Sequence, residues 1–126
     1  MSGNWRMLGY VFLGGSLGTM LRYLAFELLN QSIDYPLGEL AALFLVNLLG
    51  SYFLGLTARH PIFDSEDRKS FWGIGFAGGF TTMSAVTLFI DYNSLTYEFA
   101  VMLFAAVVLY GIGYHQGRRA AKRRAA

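Results

Sequence analysis

Apolar residues run along this chain in four long stretches, which short polar segments separate. The stretches cover about residues 7–29, 40–56, 71–90 and 97–117. Each is close to the ~20 residues that a helix needs to cross the hydrocarbon core of a bilayer. The runs are continuous rather than alternating, and an open sheet in lipid would leave its edge backbone groups unpaired. The pattern therefore predicts an all-α integral membrane protein, a single domain over residues 1–126 with four transmembrane helices.

The composition supports this interpretation and excludes several kinds of chemistry. The chain is 55% hydrophobic and 14% charged, whereas a soluble domain is nearer a quarter charged. It has no cysteine, so disulfides and thiolate chemistry are excluded. The two histidines, His60 and His115, are far apart in sequence, and we expect no metal site from them. No carboxylate pair, phosphate loop or serine–histidine–acid set lies inside a span, so the sequence predicts no enzyme.

The basic residues are unevenly distributed. Nine lie on the side of the predicted bundle that holds both termini, and the two opposite loops contain none. By the positive-inside rule, the chain should insert in one orientation, with both termini in the cytoplasm. A basic tail can also bind nucleic acid, but one directly after an apolar segment is more typical of a cytoplasmic membrane end. The nine are Arg6, Arg59, Arg68, Lys69 and, in the tail 118–126, Arg118, Arg119, Lys122, Arg123 and Arg124.

The segment GGFTTMS, residues 78–84, interrupts the third stretch with small and hydroxyl-bearing residues. Gly78 and Gly79 disfavour a helix, whereas Thr81, Thr82 and Ser84 offer hydroxyls that can replace lost backbone hydrogen bonds. Irregular backbone at membrane depth is tolerated only where it is buried or lines a cavity. We therefore predict a break in the third helix, and a plain kink is the alternative. Broken helices of this kind present carbonyls to cations and amide hydrogens to anions.

Two further polar residues lie inside predicted spans. Arg22 is past the middle of the first span, where it either snorkels outward or attracts anions to a water-filled vestibule. Asn47 is in the second span, where a single amide usually hydrogen-bonds a neighbouring helix. Small residues four apart, at Gly14 and Gly18 and at Gly113 and Gly117, predict close helix packing.

Three segments taken together, GGSLGTMLRY, VNLLGSYFLG and GFAGGFTTMS, resemble the signature segments of the CrcB, or Fluc, family of fluoride channels. The resemblance covers nearly the whole chain. It implies an antiparallel (inverted) dimer with two fluoride pores and a central sodium ion that is structural and not transported. The sodium-binding backbone carbonyls would be those of Gly78 and Thr81. Asn47 would line a pore, and Arg22 matches the arginine of the first helix.

Fluoride is small and strongly hydrated, so a pore has to replace its water with hydrogen-bond donors. The donors that the resemblance implies here are the amide of Asn47 and the hydroxyls of Thr82 and Ser84. The chain also departs from the family pattern GGxTTFSTF, whose two phenylalanines line the pores. Met83 and Val86 occupy those two positions, and Leu43 stands where a threonine is usual.

With the resemblance, these observations predict one subunit of a channel in a bacterial inner membrane, which exports toxic fluoride passively from the cytoplasm. Because the charge bias fixes one orientation, an antiparallel dimer would need an oppositely oriented homologous subunit, although a homodimer is also open. Two alternatives remain. The first is a non-conducting structural partner subunit, which the lost phenylalanines favour. The second is a small multidrug carrier, which would normally carry a glutamate inside its first span, whereas Glu27 is near the end of that span.

Overall fold

The computed structural model describes residues 2–35, 37–83, 86 and 96–125, apart from the side chains of residues 2–4 and 96. Helix α1 covers Ser2–Ser32 and α2 covers Leu37–Arg59. A short 3₁₀ turn, Pro61–Phe63, leads to the helical run 66–80, here called α3. The last helix, α4, covers Thr96–Ala125. All regular structure in these described residues is helical, which confirms the all-α prediction.

Helix α3 is wound in three ways along its length. It begins with an α-helical turn, Glu66–Arg68, and continues as a π-helix over Lys69–Ala77. An α-helical turn, Gly78–Phe80, then completes it. π-helical winding is rare and is usually confined to single turns. Nine consecutive π-helical residues therefore make α3 unusual, and they set the direction in which its end points.

The helices are longer than the apolar stretches of the sequence. Helix α1 extends beyond 7–29, α2 beyond 40–56, and α4 beyond 97–117. The predicted tail is not a separate segment, because α4 stays helical through its basic residues to Ala125. Alanine, arginine and lysine are all strong helix formers, which explains the continuation. In the third stretch, the helical run ends at Phe80, and residues 87–90 lie outside the described part.

The protein is apolar on its outside. Large side chains such as Phe12, Phe104 and Val107 are more than 70% exposed, whereas few apolar side chains are fully buried. Two helical segments, Leu37–Arg59 and Tyr97–Ala125, are long and apolar enough to cross a membrane. In the most apolar 18-residue part of each, only 39% and 11%, respectively, is buried inside the protein. A soluble core helix would be mostly covered by protein. The exposed apolar surface therefore fits a protein surrounded by lipid.

The segment between α2 and α3 is ordered by local hydrogen bonds. Pro61 starts the 3₁₀ turn, and the Nδ1 atom of His60 accepts from the backbone N–H of Ile62 at 3.2 Å. The Ser65 hydroxyl caps the start of α3 by accepting from the backbone N–H of Arg68 at 3.1 Å. Each bond satisfies a backbone donor that has no partner inside its helix.

An exposed ion pair joins the start of α1 to the first turn of α3. The Arg6 guanidinium donates to both carboxylate oxygens of Asp67, with the Nε–Oδ1 distance at 3.4 Å. This hydrogen bond and the negative charge of Asp67 raise the pKa of Arg6 above its ordinary value. The pair links two segments that the charge pattern places on the same side of the membrane.

Glycines bring the helix backbones into direct contact at two seams. On α1, a Cβ atom at Gly14 or Gly18 would collide with the backbone of Phe71 or Phe76 in α3. On α4, a Cβ at Gly113 would collide with the backbone of Tyr52 in α2, and one at Gly117 with the backbone nitrogen of His60, directly after α2. The close packing predicted from these two glycine pairs is therefore confirmed. Close approach matters here because lipid gives helices no hydrophobic drive to associate.

The α2–α4 seam can be tested with two glycines of unequal surroundings. A Cβ at Gly55 would collide with the backbone of Tyr110, whereas a Cβ at Gly111 would meet nothing within 4 Å. We expect Gly55→Ala to destabilise the protein by about 1–3 kcal/mol, because the helices must move apart. Gly111→Ala should leave it unchanged or stabilise it by up to about 1 kcal/mol, because alanine favours the helix. Unfolding in mild detergent measures the stability of both variants, and equal effects would contradict the close contact between α2 and α4 at Gly55.

Candidate functional site

The helical winding of α3 stops where the polar segment begins. Thr81 adopts extended backbone angles, with φ −84° and ψ 154°. Its backbone N–H and its hydroxyl both donate to the carbonyl of Ala77, at 3.0 and 2.9 Å. The threonine hydroxyl thus supports the end of the helix, as the sequence predicted for hydroxyl residues at this point. Met83 and Val86 again have helical backbone, while Ser84 lies outside the described residues.

The backbone of the next residue, Thr82, is held by Asn47 of α2. The Asn47 Oδ1 atom accepts from the backbone N–H of Thr82 at 2.9 Å, and its Nδ2 atom donates to the carbonyl of Thr82 at 3.2 Å. Asn47 is 5% exposed and Thr82 is 7% exposed. Buried backbone groups without partners would be costly, and one side-chain amide here binds both the N–H and the C=O of Thr82. We call this two-bond arrangement the Asn47–Thr82 pair.

A glycine allows α2 to come close enough for this pairing. Gly50 is less than one turn beyond Asn47 on α2, and a Cβ there would collide with the Cγ2 methyl of Thr81. On the other side, the hydroxyl of Thr19 in α1 reaches the carbonyl of Gly79 at 3.5 Å. The end of α3 therefore lies between α1 and α2, in contact with both.

The same residues border an open groove of about 340 Å³. Gly78 is exposed there, and a Cβ at this position would meet nothing within 4 Å. The groove brings together two predicted sodium-binding residues, Gly78 and Thr81, with Asn47 and Met83. It is also lined by Gly50, Ser51, Leu54, Gly73, Ile74, Ala77, Met102, Leu103 and Ala106.

Arg22 is the predicted site residue that the structure leaves apart from this group. It is partly buried on α1, about one turn beyond Thr19. In the part of the chain that the structure describes, Arg22 forms no ion pair. Its guanidinium charge is therefore not neutralised by a described carboxylate, which suits either predicted role.

Two of the three departures from the family pattern, Leu43 and Val86, belong to one buried cluster. Leu43 and Val86 are 2% and 1% exposed and form one apolar cluster with Met102 of α4. Phe26, Leu40, Phe44, Leu48 and Phe99 surround this cluster. The Nδ2 atom of Asn47 lies 3.8 Å from the sulfur of Met102, so the cluster directly adjoins the Asn47–Thr82 pair. Met83, by contrast, is 48% exposed and faces the groove.

Sequence reasoning missed two features of this region. One is Met102, for which no pattern in the fourth stretch signalled contact with Asn47. The other is a row of aromatic rings that runs back from the end of α3. Phe76 stacks on Phe80 with ring centres 5.7 Å apart, and Phe53 of α2 meets Phe76 edge to face at 5.4 Å. The spacing of Trp72, Phe76 and Phe80 four residues apart was the available signal for a shared face.

An apolar exterior, glycine-packed helices and a buried polar centre at a helix end define an α-helical membrane protein. Comparison with known proteins gives its family. The profile described as "CrcB-like protein, Camphor Resistance (CrcB)" matches residues 9–115. The chain belongs to this CrcB family, and the match does not support the small multidrug carrier as an alternative.

Individual relatives agree with the family match. The chain is 36% identical over 107 residues to "Fluoride-specific ion channel FluC 1" of Staphylococcus aureus (strain NCTC 8325 / PS 47), covering 82% of this chain and 84% of that protein. It is 34% identical over 107 residues to "Fluoride-specific ion channel FluC" of Methanopyrus kandleri, covering 82% and 72%. It is 35% identical over 97 residues to "Fluoride-specific ion channel FluC 2" of Corynebacterium jeikeium, covering 64% of this chain and 56% of that protein.

The Asn47–Thr82 pair predicts an asymmetric response to mutation. Asn47→Asp keeps the size and the acceptor but removes the donor to the Thr82 carbonyl, and it buries a carboxylate beside that oxygen. We expect a loss of about 1–3 kcal/mol in the free energy of unfolding, measured in detergent. Asn30→Asp makes the same chemical change at an exposed amide that donates to Glu39. It should cost less than about 1 kcal/mol, and a similar cost at both positions would contradict the pairing.

Proposed function

We propose that this protein is a subunit of a fluoride-specific ion channel that lets fluoride leave the cytoplasm passively and so reduces its toxicity. The observation that carries the proposal is the similarity to proteins named as fluoride-specific channels, over a stretch that includes both Asn47 and Thr82. The polar centre supports it, because it is buried among apolar helices and offers hydrogen-bond donors at that depth. No group in this centre suggests bond-making chemistry.

Asn47 is suited to donate a hydrogen bond to fluoride without releasing Thr82. One of its two amide hydrogens is used by the Thr82 carbonyl, and the other is directed toward the sulfur of Met102 at 3.8 Å. A thioether sulfur is a weak acceptor. A fluoride ion beside Asn47 could therefore replace the sulfur as the acceptor. The hydroxyls of Thr82 and Ser84 are the further donors in this proposal, and Arg22 would attract the anion.

The backbone carbonyl oxygens beside the groove are suitable ligands for a structural sodium ion. Sodium is a hard cation that prefers oxygen ligands, and the last carbonyls of a helix have no partner inside it. Gly78 is in the last turn of α3 and Thr81 follows it, and both border the same groove. One chain would supply the two carbonyls of Gly78 and Thr81, and a partner chain the rest. The open space at Gly78 leaves room for such a partner.

We further propose that the working unit is an antiparallel dimer of four-span subunits. The charge bias favours a single orientation for this chain, with both termini in the cytoplasm. An oppositely oriented homologous subunit would then complete the dimer. Relatives that carry the numbers FluC 1 and FluC 2 support the idea that related chains occur as pairs.

A second candidate, a non-conducting structural subunit, is favoured by one observation. Leu43, Val86 and Met102 form a buried apolar cluster directly beside Asn47. Apolar side chains cannot replace the water that fluoride loses, so an ion would not pass through this cluster easily. In that case, the partner subunit would provide the conducting pore.

Fluoride efflux from liposomes tests the function. The purified chain alone should give little efflux, because it inserts in one orientation and lacks phenylalanine at positions 83 and 86. Co-expression with an oppositely oriented relative should restore fluoride-selective efflux. In that pair, Asn47→Asp should reduce efflux further if Asn47 faces the working pore, because a carboxylate repels fluoride. Rapid fluoride efflux by the chain alone would contradict the requirement for an unlike partner.

Gly78 provides a test of the dimer and its sodium ion. Because a side chain at Gly78 has open space, Gly78→Val should leave the thermal unfolding of the chain within about 1 kcal/mol of the wild type. It should nevertheless reduce dimer cross-linking and fluoride efflux at least tenfold, since valine would fill the groove beside the carbonyls.

The matched control is Gly111→Val, which also enters open space but lies outside the groove. It should leave dimer formation and efflux unchanged. Thr81→Ser keeps the hydroxyl that bonds Ala77 and should also have little effect. If Gly78→Val and Gly111→Val behave alike, the groove is not the dimer contact.

A further inference from the structure

The basic end of α4 is a helical extension with its own surface. The helix runs to Ala125, eight residues past the apolar stretch that ends at Gly117. At 1.5 Å per residue, the extension is about 12 Å long. The interfacial layer of a bilayer is roughly 5–8 Å deep on each side of the hydrocarbon core. If α4 crosses the membrane, the first turns of the extension therefore lie at the depth of the lipid headgroups.

The base of the extension is fixed to α2. A Cβ at Gly117 would come within 2.8 Å of the backbone nitrogen of His60, so the two helices touch there. The Tyr52 hydroxyl donates to the side-chain oxygen of Gln116. One turn earlier, the guanidinium of Arg59 lies over the ring of Tyr114 at 5.5 Å. These contacts hold the last helix in place, so the residues beyond Gly117 are presented in a defined direction.

The charge of the extension is not neutralised within the described residues. It carries five basic residues, and the sequence contains no acidic residue after Glu98. None of the five forms an ion pair in the part of the chain that the structure describes. Arg119 and Arg123 are four residues apart, so they are neighbours on one helix face and repel each other. The negative C-terminal end of the helix dipole offsets part of this repulsion, and an anion bound beside the two arginines would offset the rest.

One face of the extension forms a shallow cleft of about 480 Å³. It is lined by Gln116, Arg119, Ala120, Arg123 and Arg124. Arg119 and Arg123 therefore border the same space, whereas Arg118 and Lys122 do not line it. The guanidinium group is planar and binds phosphate through two parallel hydrogen bonds. Two arginines beside one cleft at headgroup depth are thus suited to a lipid phosphate.

We propose that Arg119 and Arg123, with Arg124, bind the headgroup of an anionic phospholipid from the leaflet that surrounds this end of α4. The inference rests on the membrane placement in the proposed function, and it concerns a lipid site that fluoride conduction does not require. The bound phosphate relieves the repulsion between the two arginines and fixes the depth of α4. Uncharged headgroups lack the net negative charge that this site needs.

Lipid binding to the full chain tests the proposal. Protein in neutral detergent is titrated with phosphatidylglycerol or phosphatidylcholine, and native mass spectrometry counts the retained lipids. Phosphatidylglycerol should bind at least tenfold more tightly than phosphatidylcholine. Arg119→Gln with Arg123→Gln should lower its affinity by roughly fivefold per residue, about 25-fold in total. Glutamine keeps the helix propensity, so the extension should stay helical, which circular dichroism checks.

The matched variant is Arg118→Gln with Lys122→Gln, which removes the same charge from the neighbouring face. Its affinity for phosphatidylglycerol should fall less than fivefold. Equal losses of affinity in the two double variants would overturn the assigned site. Inorganic phosphate at the same concentration should not displace the lipid, and displacement would point to a free-anion site instead. Tighter binding of a DNA oligonucleotide than of phosphatidylglycerol would also overturn the proposal.

Fluoride efflux from the same preparations separates this inference from the proposed function. Lipid binding without efflux would support the headgroup site and count against the channel. Efflux that needs the partner subunit, with no preference for phosphatidylglycerol, would leave the channel standing and overturn the lipid site.

Discussion

The arrangement of this protein depends on two buried backbone groups, the N–H and the C=O of Thr82. Thr82 follows the end of α3 at Phe80, outside its helical winding, and is only 7% exposed. Asn47 supplies an acceptor and a donor at 2.9 and 3.2 Å, so a single side chain on α2 binds both backbone groups. That requirement fixes the height and the rotation of α2 against α3. It also explains why Gly50 has to admit the methyl group of Thr81.

The remaining helices are held together by close backbone packing at glycines rather than by an apolar core. Many of the large apolar side chains face outward, and the fully buried apolar side chains are few. Backbone contact at Gly14, Gly18, Gly55 and Gly113 provides the packing that a soluble protein would obtain from its interior. Two kinds of interaction thus have different roles in the structure. Glycine seams align the long helices, and the Asn47–Thr82 pair defines the polar centre between them.

Much of the fold could be predicted from the chain alone, because lipid imposes simple rules on length and polarity. The apolar stretches marked the helices, and the glycine pairs marked the seams. The ends of the helices were less predictable. Residues 118–125 ended the apolar pattern, but alanine, arginine and lysine favour a helix once α4 has started. The π-helical winding of Lys69–Ala77 left no recognisable pattern in the sequence.

The residues of the candidate site could be predicted from the sequence, but the contacts between them could not. Asn47, Thr81 and Thr82 were conspicuous as polar residues in apolar surroundings, and the structure brings them together. Their pairing spans 35 positions along the chain, and only the docking of α2 on α3 reveals it. Similarly, the sequence shows that Leu43 and Val86 differ from the family pattern. Their contact with Met102 joins parts of the chain that are far apart in sequence, so the sequence alone does not show it.

The nine π-helical residues of α3 have a consequence for how this protein can change over time. Adding or deleting one residue among them would turn everything beyond Ala77 by about 100°. Thr81 would then leave the hollow at Gly50, and Thr82 would no longer face Asn47. A substitution at an exposed position such as Ile74 keeps the number of residues and so the orientation of the polar segment, whereas a change of length reorients it. For lineages that descend from this protein, the length of that stretch should therefore be more constrained than its composition.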